Sequence, residues 1–231
     1  MRIAGLQKLT LLDFPGKVAC TVFTAGCNFR CPFCQNASLV LPERFGAETE
    51  LEEILKFLRR RQGVLDGVAV TGGEPMMHPD LPDFMRSVRE LGFRLKLDTN
   101  GSFPDRLAAV IDEGLVDYVA MDVKNAPELY AATAGVSGLD VGAIDRSLAL
   151  LMEGRTDYEF RTTAVAELHD DASFEGIGRW IRGAKRYYLQ RFTDRDTVPF
   201  AGLHAPDEEA MNRWIGIVRT FIPAAELRGA D

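Results

Sequence analysis

Six short apolar, β-branched or aromatic segments, at residues 18–23, 68–71, 93–98, 118–122, 158–163 and 187–192, alternate with stretches of helical periodicity. No other feature restricts the fold as much, because a strand–helix repeat buries its hydrophobic faces most simply as a parallel sheet with helices packed against it. The helical stretches carry apolar residues at i, i+3, i+4 and i+7. Leu51, Ile54, Leu55 and Leu58 form one stripe, and Leu81, Phe84, Met85 and Val88 a second. Thr49 followed three residues later by Glu52 reads as a capping box at the start of the first helix. Further helices are expected at residues 105–113, 143–153, 173–183 and 207–221. Six βα units are too few to close an eight-stranded barrel, so periodicity leaves an open, curved partial barrel or a flat, doubly wound sheet. With no repeat, low-complexity tract or long linker, a single domain is expected over residues 1–231, with its core at about 15–200 and a C-terminal helix at about 207–221.

Composition removes several function classes. A net charge of −7 argues against a polyanion-binding surface and hence against a nucleic-acid partner. The one basic run, Arg59-Arg60-Arg61, falls at an expected helix C-terminus, where it complements the helix dipole. Without an apolar run of signal or membrane-span length, the sequence reads as that of a cytoplasmic protein with no membrane partner. All four cysteines lie between positions 20 and 34, too crowded to staple a chain of 231 residues, so metal or redox chemistry explains them better than disulfides.

Cys27, Cys31 and Cys34 form a C-x3-C-x2-C loop directly after the first expected strand. Three thiolates on one short loop can converge on a common centre. A four-iron cube held by three cysteines keeps one iron free for a substrate, whereas an electron-carrying ferredoxin supplies four. A zinc loop would need a fourth ligand, and none of His78, His169 and His204 lies near the triad in sequence. A redox dithiol would use Cys31 and Cys34 and leave Cys27 unexplained. Cys20, inside an apolar strand, reads as a small buried hydrophobe, with the role of fourth ligand as its alternative.

The triad, with Phe33 just before its last cysteine, resembles the radical S-adenosylmethionine (SAM) superfamily. A second motif agrees in order and context: Gly72-Gly73-Glu74-Pro75 follows the second expected strand, as the superfamily's segment that contacts the SAM amino group does. Glycines there let the backbone approach a ligand with no Cβ in the way. Asp98-Thr99-Asn100-Gly101 and Met121-Asp122-Val123-Lys124 end the next two strands, as in activases of glycyl-radical enzymes. The opening segments Gly5-Leu6-Gln7-Lys8, Asp13-Phe14-Pro15-Gly16-Lys17 and Thr24-Ala25-Gly26-Cys27 are similar to the anaerobic ribonucleoside-triphosphate reductase activating proteins.

The resemblance implies an α/β fold, a partial (β/α)6 TIM-like barrel with parallel strands. It implies a [4Fe–4S] cluster on Cys27, Cys31 and Cys34, and SAM held by Phe33, Gly72, Gly73, Glu74, Pro75, Asp98, Asn100, Lys124 and Arg161. A monovalent cation on Asp98, Thr99 and Asp122 is implied as well. The activity would be reductive cleavage of SAM to place a glycyl radical on a partner enzyme, with a flavodoxin- or ferredoxin-like electron donor. Activation of a different glycyl-radical enzyme, radical chemistry on a small molecule, and a non-catalytic metal-binding role are the alternatives. The 37 residues from Gln35 to Thr71 contain no cysteine, so a single cluster is expected.

Strand parity supports a polar interior independently of the resemblance, since side chains two apart share a face. Lys96 with Asp98, Asp122 with Lys124, and Glu159 with Arg161 and Thr163 then point together. Charged positions inside a parallel sheet need a polar ligand or one another. For Lys96 and Glu159, ion pairing with protein groups alone, or simple solvent exposure at the strand ends, is the favoured reading. His78, Met76 and Met77 follow the Gly-Gly-Glu-Pro segment, where ordinary loop packing is favoured over a place at the site's entrance.

Overall fold

The computed structural model describes residues 1–229. In chain order its elements are β1 (Ile3–Thr10), β2 (Ala19–Thr24), α1 (Ala37–Val40), α2 (Leu51–Arg59), β3 (Gly67–Gly72), α3 (Leu81–Glu90), β4 (Arg94–Thr99) and α4 (Pro104–Asp112). There follow β5 (Tyr118–Asp122), α5 (Pro127–Ala134), α6 (Val141–Met152), β6 (Asp157–Ala164), α7 (Asp171–Trp180), β7 (Tyr187–Arg191), α8 (Glu208–Arg219) and β8 (Ala225–Arg228).

All eight strands form one sheet in sequential order. Strands β2 to β8 pair in parallel, while β1 runs antiparallel along β2. A doubly wound sheet would reverse its order at a switch point, and this one never does. Right-handed crossovers that always advance in the same direction put every helix on one face, which curls the sheet around the other. The order runs from β1 to β8 without pairing those two strands, so the barrel stays open.

The six expected strands are β2 to β7, with ends within two residues of the expectation. Two strands went unforeseen. β1 has mostly exposed or half-buried side chains, and β8 is four residues of mixed polarity, so neither carries the apolar signature of an inner strand.

The helix-side face of the sheet is apolar. Cys20, Val22, Val68, Val70, Leu95, Leu97, Val119 and Phe160 pack there in a core shared with Ile54 and Leu58 of α2, the Leu81–Val88 stripe of α3, and Trp214 and Val218 of α8. Burying each large side chain contributes roughly 2 kcal/mol. Leu51 departs from its expected stripe: it opens α2 and is 43% exposed.

The capping box expected at Thr49 and Glu52 does not form. The N-cap is Glu50, without a side-chain cap, and the Thr49 amide instead donates to the Ile3 carbonyl at 2.9 Å. A capping box forms at α7, where Asp170 and Ser173 cap each other's backbone. The concave face holds a separate small cluster of Phe14, Ala19 and Tyr118. Phe14, from the β1–β2 loop, sits where a Cβ on Gly67 would meet its ring at 2.8 Å, so this wall of the sheet admits only glycine.

Candidate active site

A cavity of about 380 Å³ opens at the C-terminal ends of the parallel strands. The loop after β2 contributes Cys27, Phe33 and two further cysteines, Cys31 and Cys34, to its wall. The ends of β3, β4, β5 and β6 add Gly72 and Gly73, Asp98 with Thr99 and Asn100, Asp122 with Lys124, and Arg161. Segments separated by more than a hundred residues are thus brought to one place, where ligands bind in folds of this kind.

The cysteine loop is held from several sides. Phe29 N–H donates to Cys27 Sγ at 3.4 Å, and Arg30 N–H to the Ala134 carbonyl at 2.9 Å. Asn100 Nδ2 donates to Asn28 Oδ1 at 2.9 Å, joining the β4 loop to the cysteines. Burial, reinforced by the nearby Glu74 charge, pushes the Cys27 thiol up to about 12. Burial takes Cys31 to about 11 although Lys124 pulls it down, and Cys34 also rises through burial. These thiols stay protonated unless a metal centre displaces the protons.

Cys20 is fully buried among helix-side residues, on the opposite strand face from the cavity-lining Phe23. It is a core side chain, as expected. Nor does a histidine approach the triad. His169 accepts from the Val165 amide and contacts the Lys124 carbonyl at 2.9 Å, His204 pairs with Glu167, and His78 contacts the Ala25 carbonyl at 3.0 Å. Among the described residues, no three histidine, cysteine or carboxylate groups gather as they would around a single metal ion. The three cysteines share the wall of one cavity instead.

The glycine pair is explained by backbone contact. Gly73 N–H donates to the Thr24 carbonyl at 2.9 Å and Glu74 N–H to the Gly26 carbonyl at 2.8 Å, so the β3 loop lies directly against the cysteine loop. A Cβ on Gly73 would stand 1.9 Å from the Gly26 oxygen, and Gly72 has φ +119 with Thr24 backbone at 2.3 Å from a Cβ. No side chain fits either position.

Glu74 and Pro75 are buried behind the cavity. Both oxygens of Glu74 are taken: Thr99 Oγ1 donates at 2.8 Å and Met76 N–H at 3.0 Å to one, Asn100 N–H at 2.6 Å to the other. Glu74 therefore ties the β3 and β4 loops together. Burial outweighs these donors and raises its carboxyl to about 7.

Asp98 and Asp122 share Arg161, which donates to the first at 3.4 Å and to the second at 3.0 Å. Lys96, buried beneath, donates to Asp98, and Lys124 to Asp122 at 3.0 Å. Burial alone would raise Asp122, but Arg161 and Lys124 outweigh it and hold the carboxyl at about 2. Asp98 is likewise lowered, against burial, by Lys96 and Arg161. Glu159 pairs with Arg228 through two contacts at 2.7 and 2.9 Å, so the ion pairing expected of Lys96 and Glu159 is present. Thr163, on the inner face with Arg161, and Gln190 of β7 also line the cavity. Gln190 was missed, and its signal was a polar residue two positions from Tyr188, on the strand face opposite Tyr187 and Leu189.

Residues 21–170 match the Radical SAM superfamily. The chain belongs to that superfamily. A Methanocaldococcus jannaschii protein, provisionally named as a glycyl-radical enzyme activating enzyme, is 28% identical over 233 residues, which cover 98% of this radical SAM chain and 95% of that protein. A 7-carboxy-7-deazaguanine synthase of Methanopyrus kandleri is 37% identical over 130 residues, 48% of this chain and 51% of its own length. Among solved structures, a domain of a pyruvate-formate lyase-activating enzyme from Bacteroides vulgatus superposes with a TM-score of 0.57 at 19% identity, over 71% of this chain and 99% of that one. SAM-bound SuiB of Streptococcus suis gives 0.68 at 12% identity, over 89% and 49%. Both share the fold.

Membership implies an iron–sulfur cluster and SAM, and the donor chemistry fits both. Three thiols, with no fourth cysteine lining the cavity among the described residues, suit a cube with one open iron. A glycine cradle and the cationic Lys124 and Arg161 suit an amino acid's backbone approach and carboxylate. The monovalent cation fits less well, because the carboxylate oxygens offered to it already face Lys96, Arg161 and Lys124.

Proposed function

We propose that this chain is an activase that places a glycyl radical on a partner enzyme, most specifically an anaerobic ribonucleoside-triphosphate reductase. The observation that carries the activase reading is the likeness to the Methanocaldococcus jannaschii protein over 98% of this chain and 95% of that protein, against about half for the deazaguanine synthase, while the choice of partner rests on the opening segments' resemblance. When bound, the cluster and SAM supply one-electron cleavage of a carbon–sulfur bond followed by hydrogen abstraction. The chain's own residues bind, orient and shield. Cys27, Cys31 and Cys34 hold three irons, and the Gly72-Gly73 backbone, Lys124 and Arg161 receive the amino acid part of SAM. Phe33, whose ring centroid lies 6.0 Å from Lys124 Nζ, closes the wall beside it. Asn100 fixes the cysteine loop to the β4 end. No general acid or base is required. The unpaired edges of β1 and β8 leave a lateral opening suited to a partner's glycine loop. A flavodoxin- or ferredoxin-like protein supplies the electron, in a cytoplasmic setting.

The test is anaerobic reconstitution, reduction in the presence of SAM, and addition of candidate glycyl-radical enzymes. A radical signal on the reductase, matched by 5′-deoxyadenosine, is the expected result. Deoxyadenosine formation that responds to a small molecule and to no protein would favour the second reading, to which the 37% identity over 48% of this chain lends weight.

A further inference from the structure

Each carboxylate oxygen at the centre of the site faces a cationic side chain. Asp98 Oδ1 accepts from Lys96 and its Oδ2 from Arg161 at 3.4 Å. Asp122 Oδ1 accepts from Arg161 at 3.0 Å and its Oδ2 from Lys124 at 3.0 Å. Three cationic side chains thus stand against two carboxylates. Thr99, the third group expected around a metal ion, donates its hydroxyl to Glu74 at 2.8 Å and already accepts from the Gly101 amide at 3.1 Å.

Lys96 is the unusual member. Its side chain is 3% exposed, it lies beneath the cavity wall, and its ammonium meets an aspartate that is 18% exposed. A buried ammonium is a compact point charge with the demands of a small monovalent ion. Its burial is costly unless a carboxylate pairs with it, as Asp98 does.

We infer that this chain holds SAM without an alkali-metal ion, because the Lys96 ammonium supplies from beneath Asp98 the positive charge that such an ion would bring. Lys96 is a positioning residue: its contact fixes Asp98 from beneath, and Asp98 with Asp122 keeps Arg161 stretched between them, facing the cavity. The inference rests on the SAM-site reading above and is independent of which partner is activated.

SAM titration calorimetry on the anaerobically reconstituted protein tests it, in sodium, potassium and tetramethylammonium chloride at equal ionic strength. Wild-type affinity is expected to agree within about twofold across the three salts, since the buried charge is built in. Lys96→Ala should bind about tenfold more weakly in tetramethylammonium and recover in potassium, which fits the space left by the lysine ammonium. Lys96→Met, which fills that space without charge, should bind weakly in every salt. A tenfold loss of wild-type affinity in tetramethylammonium overturns the inference, as do variants that bind like wild type there. The wild-type series decides alone if the variants fail to fold. Absence of SAM binding by wild type in all salts would instead overturn the site reading itself.

Discussion

The concave face of the sheet carries charge in two places that behave differently. Toward the N-terminal strand ends, Glu159 is fully buried and receives both Arg228 contacts and, at 2.7 Å, the hydroxyl of Tyr118, a member of the small Phe14 cluster. Its charges close on one another. Toward the C-terminal ends, three cations surround two aspartates at the edge of a cavity that also exposes three thiols. The contrast teaches that a charged residue at an inner strand position does not mark a ligand site by itself. What marks one is charge left in excess beside open volume.

The sharpest way to break the comparison is to remove a thiol from the upper layer. Cys31→Ala should leave reconstituted protein with no cluster absorbance and little iron, while Cys20→Ala, on the helix side, should keep both. Should Cys20→Ala lose the cluster and Cys31→Ala keep it, the triad assignment would be wrong.

Next in size is Gly73→Ala. Its added carbon would lie 1.9 Å from a backbone oxygen that cannot swing away. A cost of about 3 kcal/mol or more is expected, together with loss of SAM binding as the β3 loop is levered off the cysteines. Normal SAM affinity in this variant would show that the two loops can separate without harm.

Glu74 offers a pH test of the same junction. Its ordinary value is 4.5 and the folded value about 7, so the fold favours the uncharged carboxyl. The stabilisation is complete below the unfolded value and is lost as pH rises through the folded one. Denaturant unfolding of the apoprotein should therefore show wild type losing up to about 3 kcal/mol more than Glu74→Gln between acid and mildly basic pH. Parallel curves for the two proteins would mean that the carboxyl is charged throughout.

Much of this was legible in the sequence where the signal is local. The triad and the glycine pair are read from spacing within a few residues, and the inner pairs Lys96–Asp98 and Asp122–Lys124 from strand parity alone. What escaped depends on distance or on edges. The Glu159–Arg228 pair joins residues on strands β6 and β8, and β8 was too short and polar to be seen as a strand. Glu74 sat in the right motif, yet its partners Thr99 and Asn100 lie on another strand's end, so its role as a tie between loops appears only once β3 and β4 are adjacent. The capping box moved from Thr49 to Asp170 for a related reason. Backbone pairing with Ile3 claims Thr49, and helix-start chemistry yields to it.

The smallest expected effect separates the two layers most cleanly. Arg228 holds β8 against the sheet by its paired contacts with Glu159 and stacks its guanidinium 3.6 Å from the Tyr188 ring centroid, but it lines no part of the cavity. Arg228→Met keeps the stem and removes the charge, leaving Glu159 with Tyr118 alone. Because Arg228 is partly open to water, the penalty should be about 2 kcal/mol, below that of a fully enclosed pair, or a fall in Tm of about 4–8 °C for a chain of this size. SAM affinity should stay within twofold of wild type, since Arg161 keeps both of its aspartates. A variant that melts normally yet binds SAM tenfold more weakly would reverse the assignment, making the Glu159–Arg228 pair part of the ligand site and the floor of the barrel part of its chemistry.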